Sequence, residues 1–267
     1  MPGRDADLDL LIAAARAAGR IAARHWNTPM DVRDKPNGAG PVTAADLQID
    51  AMLRERLTAA RPGYGWLSEE TPDTGDRLAD RLARSHVFIV DPIDGTRAFI
   101  DGSRQFAHSL AIARDGQVTA GVVYLPLRQE MFTAALGRGA ALNGRPLVAS
   151  TRTGAEGATI LTTRSNLRAD CWPGGSPAVV LQFRPSLAFR LALVGQGRCD
   201  GALTLRDSWE WDVAAGGLIA AEAGAFVSTR KGGVPRFNTP VPLLPGIVAA
   251  APGVHAQLVA RLTLPAA

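Results

Sequence analysis

Val87-Phe88-Ile89-Val90-Asp91-Pro92-Ile93-Asp94-Gly95-Thr96 decides how this chain is read, because four apolar residues run straight into two carboxylates. A short run of Val, Phe and Ile reads as a buried strand. Pro92 and Gly95 then read as a tight turn at its end, and Thr96 as a cap for the next helix or turn. Two acids three residues apart on such a turn converge. They offer hard oxygen ligands of the kind Mg²⁺ takes, usually together with water and a substrate phosphate. Backbone N–H groups at Gly95 and Thr96 would face an incoming anion. An Asp/Pro/Gly cluster also serves as an ordinary surface turn. An EF-hand loop is excluded, since the twelfth position from Asp91 is Gly102, where a bidentate Glu is needed.

Gly65-Trp66-Leu67 reads as a second short strand, which delivers Ser68-Glu69-Glu70 to its end as Val87 to Val90 deliver Asp91. Upstream, the pattern predicts a helix over Asp5 to Trp26, a strand, and a helix from about Ala44 to Ala60. The second helix has Leu47, Met52 and Leu57 in its apolar register, and Pro62-Gly63 stops it. Phe106 to Ala113, Thr119 to Leu125 and Glu130 to Ala135 are strand-like, with turns at Asp115-Gly116 and Pro126, and predict an antiparallel sheet. After Pro146 the pattern changes to short strands at Thr159 to Thr163, Val179 to Gln182, Gly201 to Leu205 and Ala225 to Val227. Helices at Ser186 to Val194 and Trp211 to Ala223 separate them. The expectation is one unit over residues 1–267, with an α+β half at 1–147, an α/β half at 148–267 and the site between them. Small residues over Val213 to Gly224 are expected to let that helix approach a sheet closely enough to seat Asp212 beside the other acids; an Asp there also reads as an N-cap.

At 267 residues, 46% hydrophobic and 20% charged, the chain can bury a large core. A net charge of +4 is modest, Lys35 and Lys231 are the only lysines, and the arginines are scattered. No basic run or aromatic platform suits polymeric nucleic acid, and a small anionic partner fits better. Cys171 and Cys199 lack metal-site spacing and read as free thiols in a reducing compartment, while His25, His86, His108 and His255 are dispersed and read as structural. The first segment carries Asp5, Asp7 and Asp9 before Arg16, Arg20 and Arg24, which suits a helix dipole and is the reverse of a signal peptide. No apolar run reaches the roughly 20 residues of a membrane span. The expectation is a cytoplasmic protein with no membrane partner.

Leu67-Ser68-Glu69-Glu70, Asp91-Pro92-Ile93-Asp94-Gly95-Thr96 and Trp211-Asp212-Val213-Ala214-Ala215-Gly216 resemble, in sequence and order, the three signatures of the inositol monophosphatase superfamily. Pro41-Val42-Thr43-Ala44-Ala45-Asp46 resembles its segment supplying a further acid, and Lys35 lies where the family often has a lysine. The resemblance implies a layered αβαβα sandwich, a homodimer, and a lithium-sensitive phosphomonoesterase that uses two or three Mg²⁺. It implies that Glu69, Asp91 and the Ile93 carbonyl hold the first ion, with Asp91 bridging to a second held by Asp94 and Asp212. Thr96 would orient the attacking water. Asp46 would accept from the Thr96 hydroxyl or bind a third ion, and the Gly95 and Thr96 amides would hold the phosphate. Such chemistry needs no Ser, Cys or His nucleophile, because two ions roughly 3.5 to 4 Å apart activate water and stabilise the leaving oxygen. Glu70 reads as a solvated neighbour or else as an acid that supports the metal ligands from behind.

On substrate, the sequence departs from the inositol enzymes. Those place a Glu seven residues before the last Asp to accept from sugar hydroxyls, and this chain has Leu205 there. Thr96-Arg97-Ala98-Phe99-Ile100 is more similar to 3′(2′),5′-bisphosphate nucleotidases, a segment that histidinol phosphatases of the superfamily share. Arg184-Pro185-Ser186-Leu187-Ala188-Phe189 resembles a further nucleotidase segment with its lysine replaced by Ala188. Arg184, Arg190 or Arg206 is then expected to supply the positive charge. The substrate-binding set is expected to be Asp94, Gly95, Thr96, Arg184, Ser186 and Leu205. The expected substrate is an adenosine 3′,5′-bisphosphate-type nucleotide, with inositol monophosphate next and histidinol phosphate third. A protein of this shape that binds phosphates without turnover is the non-enzymatic alternative.

Overall fold

The structure, a computed structural model, describes residues 4–29, 31–35 and 40–263. In chain order the first half comprises α1 (Arg4–His25), β1 (Val32–Asp34), β2 (Pro41–Thr43), α2 (Ala44–Ala60), β3 (Gly65–Ser68), α3 (Asp76–Ala83), β4 (His86–Asp94) and α4 (Thr96–Ile100). β5 (Ala107–Arg114), β6 (Gln117–Leu125), β7 (Glu130–Ala135), β8 (Ala140–Leu142) and β9 (Arg145–Pro146) complete a seven-stranded sheet in the order β3-β4-β5-β6-β7-β8-β9. In this sheet β3 and β4 run parallel, and the other neighbours pair antiparallel. The remainder is β10 (Thr159–Leu161), β11 (Val180–Gln182), α5 (Leu187–Gly195), β12 (Gly201–Thr204), β13 (Ser208–Trp209), α6 (Glu210–Glu222), β14 (Phe226–Ser228), β15 (Leu243–Leu244), β16 (Ile247–Ala250) and α7 (Pro252–Thr263). Five of these strands form a mixed sheet, β11-β10-β12-β16-β14. Additions to the elements expected from the sequence pattern include α3, β8, β9, β13, β15, β16 and α7.

Strand alternation builds the layers. On β4, Phe88 and Val90 join α1 and α2 in one core cluster, whereas Val87 and Ile89 join α5 and α6 in another. On β12, Ala202 faces α5 and α6, and Leu203 faces the third cluster with Val254 and Leu258 of α7. The result is α1/α2, large sheet, α5/α6, small sheet and α7, the αβαβα sandwich. Within α2 the buried face is Ala45, Ile49, Leu53 and Leu57, and Leu47 is 47% exposed, so the register expected for Leu47 is corrected. The i, i+4 stripe decides it; Leu47 lies outside that stripe. Among the described residues, no helix is long and apolar enough to cross a membrane.

The helix pair in the middle layer depends on small residues. A Cβ on Gly216 of α6 would lie 2.7 Å from the Ala188 carbonyl oxygen and 2.7 Å from the Leu191 Cβ of α5. On its other side α6 touches the large sheet, where a Cβ on Gly121 of β6 would be 3.1 Å from the Ala215 Cα. Close approach on both sides carries the first turn of α6, with Asp212, to the end of β4.

Candidate active site

Asp91 to Asp94 continue the strand with an extra residue in it, in place of the tight turn that Pro92 and Gly95 suggest. β4 continues to Asp94, with Asp91 opposite Ser109 of β5 and Asp94 opposite Ala107. Three steps along β4 thus match two along β5, which is a β-bulge. In a regular strand, residues three apart face opposite sides; the inserted residue puts both carboxylates on the α5/α6 side. Pro92, which has no N–H to give a ladder, sits within the bulge. The chain turns only at Gly95, in the left-handed region at φ +99°, and α4 begins at the next residue. His108 of β5 is fully buried and donates from Nδ1 to the Pro92 carbonyl; burial lowers its pKa to about 4, so the ring is neutral.

Oxygen atoms of Asp91, Asp94 and Asp212 lie within 4.8 Å of one another. Asp91 and Asp94 are 1% and 7% exposed, and the buried Asp91 Oδ1 has no hydrogen-bond partner. Burial first, then the charges of Glu69, Asp94 and Asp212, raises the Asp91 carboxyl well above its ordinary value. Burial, Asp94 and Glu69 do the same to Asp212. Three crowded carboxylates with an orphaned oxygen could hold a cation, and their hard oxygen donors are of the kind that suits Mg²⁺. Asp94 is oriented from the opposite side: its Oδ2 accepts from Ser186 Oγ and from the Ala188 N–H, both at 2.7 Å, at the start of α5. Burial still lifts its pKa to about 6.

Further charges surround this triad. Glu69 follows β3 and its N–H bonds the Val90 carbonyl at 3.1 Å, which places it beside Asp91. Lys35 Nζ reaches both Glu69 and Glu70 at 2.7 Å. Burial works against the Lys35 charge, but the two glutamates outweigh it and hold the pKa above its ordinary value. Glu70 is therefore no solvated neighbour: its side chain is 4% exposed, and burial followed by the Glu69 charge raises its pKa to about 7. Below that loop, Asp50 of α2 accepts from Ser68 Oγ at 2.5 Å and Thr71 Oγ1 at 2.7 Å.

Asp46 forms a capping box with Thr43, accepting from its N–H at 2.8 Å and its hydroxyl at 2.6 Å, and burial raises its pKa to about 6. Its other oxygen stands 3.5 Å from the Thr96 hydroxyl, which is 3.1 Å from the Ile93 carbonyl.

Three expected substrate contacts are given other work. Ser186 is fully buried, its hydroxyl committed to Asp94 and to the Phe189 N–H as the N-cap of α5. Leu205 is 8% exposed and packs with Leu203, Trp172 and α7, because it shares the strand face of Leu203 that points away from the acids. Arg184 turns its guanidinium to the Phe183 carbonyl at 2.6 Å. Arg206 and Arg190 both act on Asp212, and Arg190 on Asp94 as well; Arg206 is exposed, whereas Arg190 is 8% exposed. Arg190 is held 4.7 Å over the Phe183 ring and by the Arg184 and Pro185 carbonyls at 2.6 and 3.2 Å. Burial lowers its pKa, and Asp94 and Asp212 oppose that. Sequence spacing carries no signal that distinguishes Arg190 from its neighbours.

The sequence profile of the inositol monophosphatase family matches residues 5–264. An inositol-1-monophosphatase of Mesorhizobium japonicum is 34% identical over 248 residues, covering 86% of this chain and 88% of that protein. The Nus factor SuhB of Escherichia coli K12 is 34% identical over 238 residues, covering 85% and 86%. The crystal structure of extragenic suppressor protein SuhB from Bartonella henselae superposes with a TM-score of 0.79 at 31% identity, covering 96% of this chain and 98% of that one. The chain belongs to the inositol monophosphatase family.

Proposed function

We propose that this chain is a Mg²⁺-dependent phosphomonoesterase acting on a small phosphorylated metabolite, with an adenosine 3′,5′-bisphosphate-type nucleotide as its preferred substrate. The observation that carries the chemistry is the convergence of Asp91, Asp94 and Asp212 within 4.8 Å, one buried oxygen of Asp91 being unpaired. Asp91, Asp94, Asp212, Glu69 and the Ile93 carbonyl would hold Mg²⁺, and Asp46 would hold a further ion or take the Thr96 proton. Bound Mg²⁺ supplies charge neutralisation at the phosphate and lowers the pKa of water. Ser186 and the start of α5 fix Asp94 through one oxygen and leave the other for the cation. The Thr96 hydroxyl, aimed at Asp46 or the Ile93 carbonyl, offers its lone pairs to a water molecule. The Gly95 and Thr96 amides open α4, where first-turn N–H groups lack intrahelical partners and suit a phosphate oxygen.

Two residues support the nucleotide. Arg190 is a preoriented, desolvated guanidinium beside the acids, suited to a second phosphate. Leu205 leaves the position of the polyol acceptor apolar and turned into the core. The curated relatives named inositol-1-monophosphatase favour inositol 1-phosphate as the second reading. Measuring kcat/KM for adenosine 3′,5′-bisphosphate, inositol 1-phosphate, fructose 1,6-bisphosphate and histidinol phosphate, with Mg²⁺ and with chelator, tests both levels. The nucleotide is expected to lead and chelator to abolish turnover. A lead of more than tenfold by inositol 1-phosphate would overturn the nucleotide reading. Undiminished turnover in chelator would overturn the metal chemistry.

A further inference from the structure

A buried polar network outside the acid cluster joins two of the segments that feed it. Arg81, in the last turn of α3, is 1% exposed, whereas the rest of that helix is half-buried or exposed. Its Nε donates to both oxygens of Asp73 at 3.1 Å and its Nη2 to Asp73 Oδ2 at 2.6 Å. On the far side Nη1 donates to Asn238 Oδ1 at 2.6 Å and Nη2 to the Thr239 carbonyl at 3.1 Å. Asn238 and Thr239 in turn give their N–H groups to Glu210 at 2.7 and 3.0 Å, and the Thr239 hydroxyl adds a bond at 2.7 Å. Glu210 is 0% exposed and opens α6.

The two ends of this network matter by their positions in the chain. Asp73 lies four residues beyond Glu69, on the loop that leaves β3, and Glu210 lies two residues before Asp212. α3 also rests directly on β3: a Cβ on Gly65 would be 3.2 Å from the Arg81 Cα. Glu69 and Asp212 carry like charge, and without a cation between them they push their segments apart. A planar guanidinium with a fixed donor fork is suited to hold such a separation, because it fixes angle as well as distance.

We propose that Arg81 is a positioning residue for metal binding, tying the loop that carries Glu69 to the N-terminus of the helix that carries Asp212. The inference rests on reading Glu69 and Asp212 as metal ligands. Groups that orient metal ligands from outside the coordination sphere are worth roughly 10- to 100-fold in metal affinity.

The test is Mg²⁺ titration calorimetry on the full chain for wild type, Arg81→Lys, Asp73→Asn, Glu210→Gln and the Asp73→Asn/Glu210→Gln double variant. Thermal melts in chelator establish that each is folded. Each single variant is expected to raise the Mg²⁺ Kd by roughly tenfold or more. The double variant is expected to lose little beyond the worse single, because both substitutions cut one linkage. Asp73→Asn and Glu210→Gln keep the side-chain shape and one of the two acceptor oxygens, and so carry the test if Arg81→Lys does not fold. Kd values within twofold of wild type in cooperatively melting variants, or fully additive losses, would overturn the inference. Wild-type protein that takes up no Mg²⁺ would overturn the metal-site reading as well.

Discussion

Asp94→Asn is expected to destroy the enzyme and stabilise the metal-free protein. Burial moves the Asp94 carboxyl from an ordinary 3.8 to about 6, even though Ser186 and Ala188 both bond it. The folded pKa is thus raised, so the folded state keeps a proton that the unfolded chain gives up. Below about pH 4 both states are protonated and the carboxyl costs nothing. As pH rises from about 4 to about 6, wild type loses stability, and above pH 6 the loss is complete. Two pH units at about 1.4 kcal/mol each amount to about 3 kcal/mol, net of the two hydrogen bonds. This figure is a ceiling, because Asp91 and Asp212 share the strain. An Asn at the same place keeps an oxygen acceptor for Ser186 and Ala188 but carries no charge. At roughly 2 to 4 °C per kcal/mol for a chain of this size, the variant in chelator at pH 7.5 should melt above wild type, by at most roughly 6 to 12 °C. At pH 4 the two should coincide. Added Mg²⁺ should raise the wild-type melting temperature and leave the variant where it is. A variant that melts at or below wild type in chelator at pH 7.5, while equal to it at pH 4, would refute the account of Asp94 as a strained charge awaiting a cation.

Two further outcomes are expected from the geometry around that triad. Thr96→Ala should lower kcat by roughly 10² to 10⁴ with KM little changed, since the hydroxyl touches Asp46 and the Ile93 carbonyl and the phosphate is left to backbone amides; a raised KM with intact kcat in steady-state assays would instead make Thr96 a binding residue. Gly216→Ala should cost about 1 to 3 kcal/mol in urea unfolding because its Cβ overlaps α5, whereas Gly217→Ala, whose Cβ meets only Val227 at 3.8 Å, should be neutral or stabilising; equal effects would show that helix propensity and not the α5–α6 approach governs both sites.

What the amino-acid sequence determined by itself is local. The alternation of Phe106 to Ala113 and its neighbours specifies an antiparallel sheet, and the apolar runs before Glu69 and Asp91 specify strands that end in acids, because side-chain period and turn chemistry are properties of a few adjacent residues. The acids themselves were legible as motifs. Tertiary structure decided what depends on pairing and on approach. A bulge exists only relative to a partner strand, so nothing within Asp91 to Thr96 could announce that β5 would run one residue short and turn both carboxylates to one face. Glu70 reads as solvated until Lys35, 35 residues earlier, closes over it. Ser186 and Leu205 lie within or beside motifs, yet the cap of α5 takes one hydroxyl inward and strand parity turns the other side chain toward α7. Arg81 and Glu210 are separated by 129 residues and meet only through Asn238 and Thr239. Burial, which sets the cost of every charge at the site, is a property of the assembled layers and is written in no single segment of the chain.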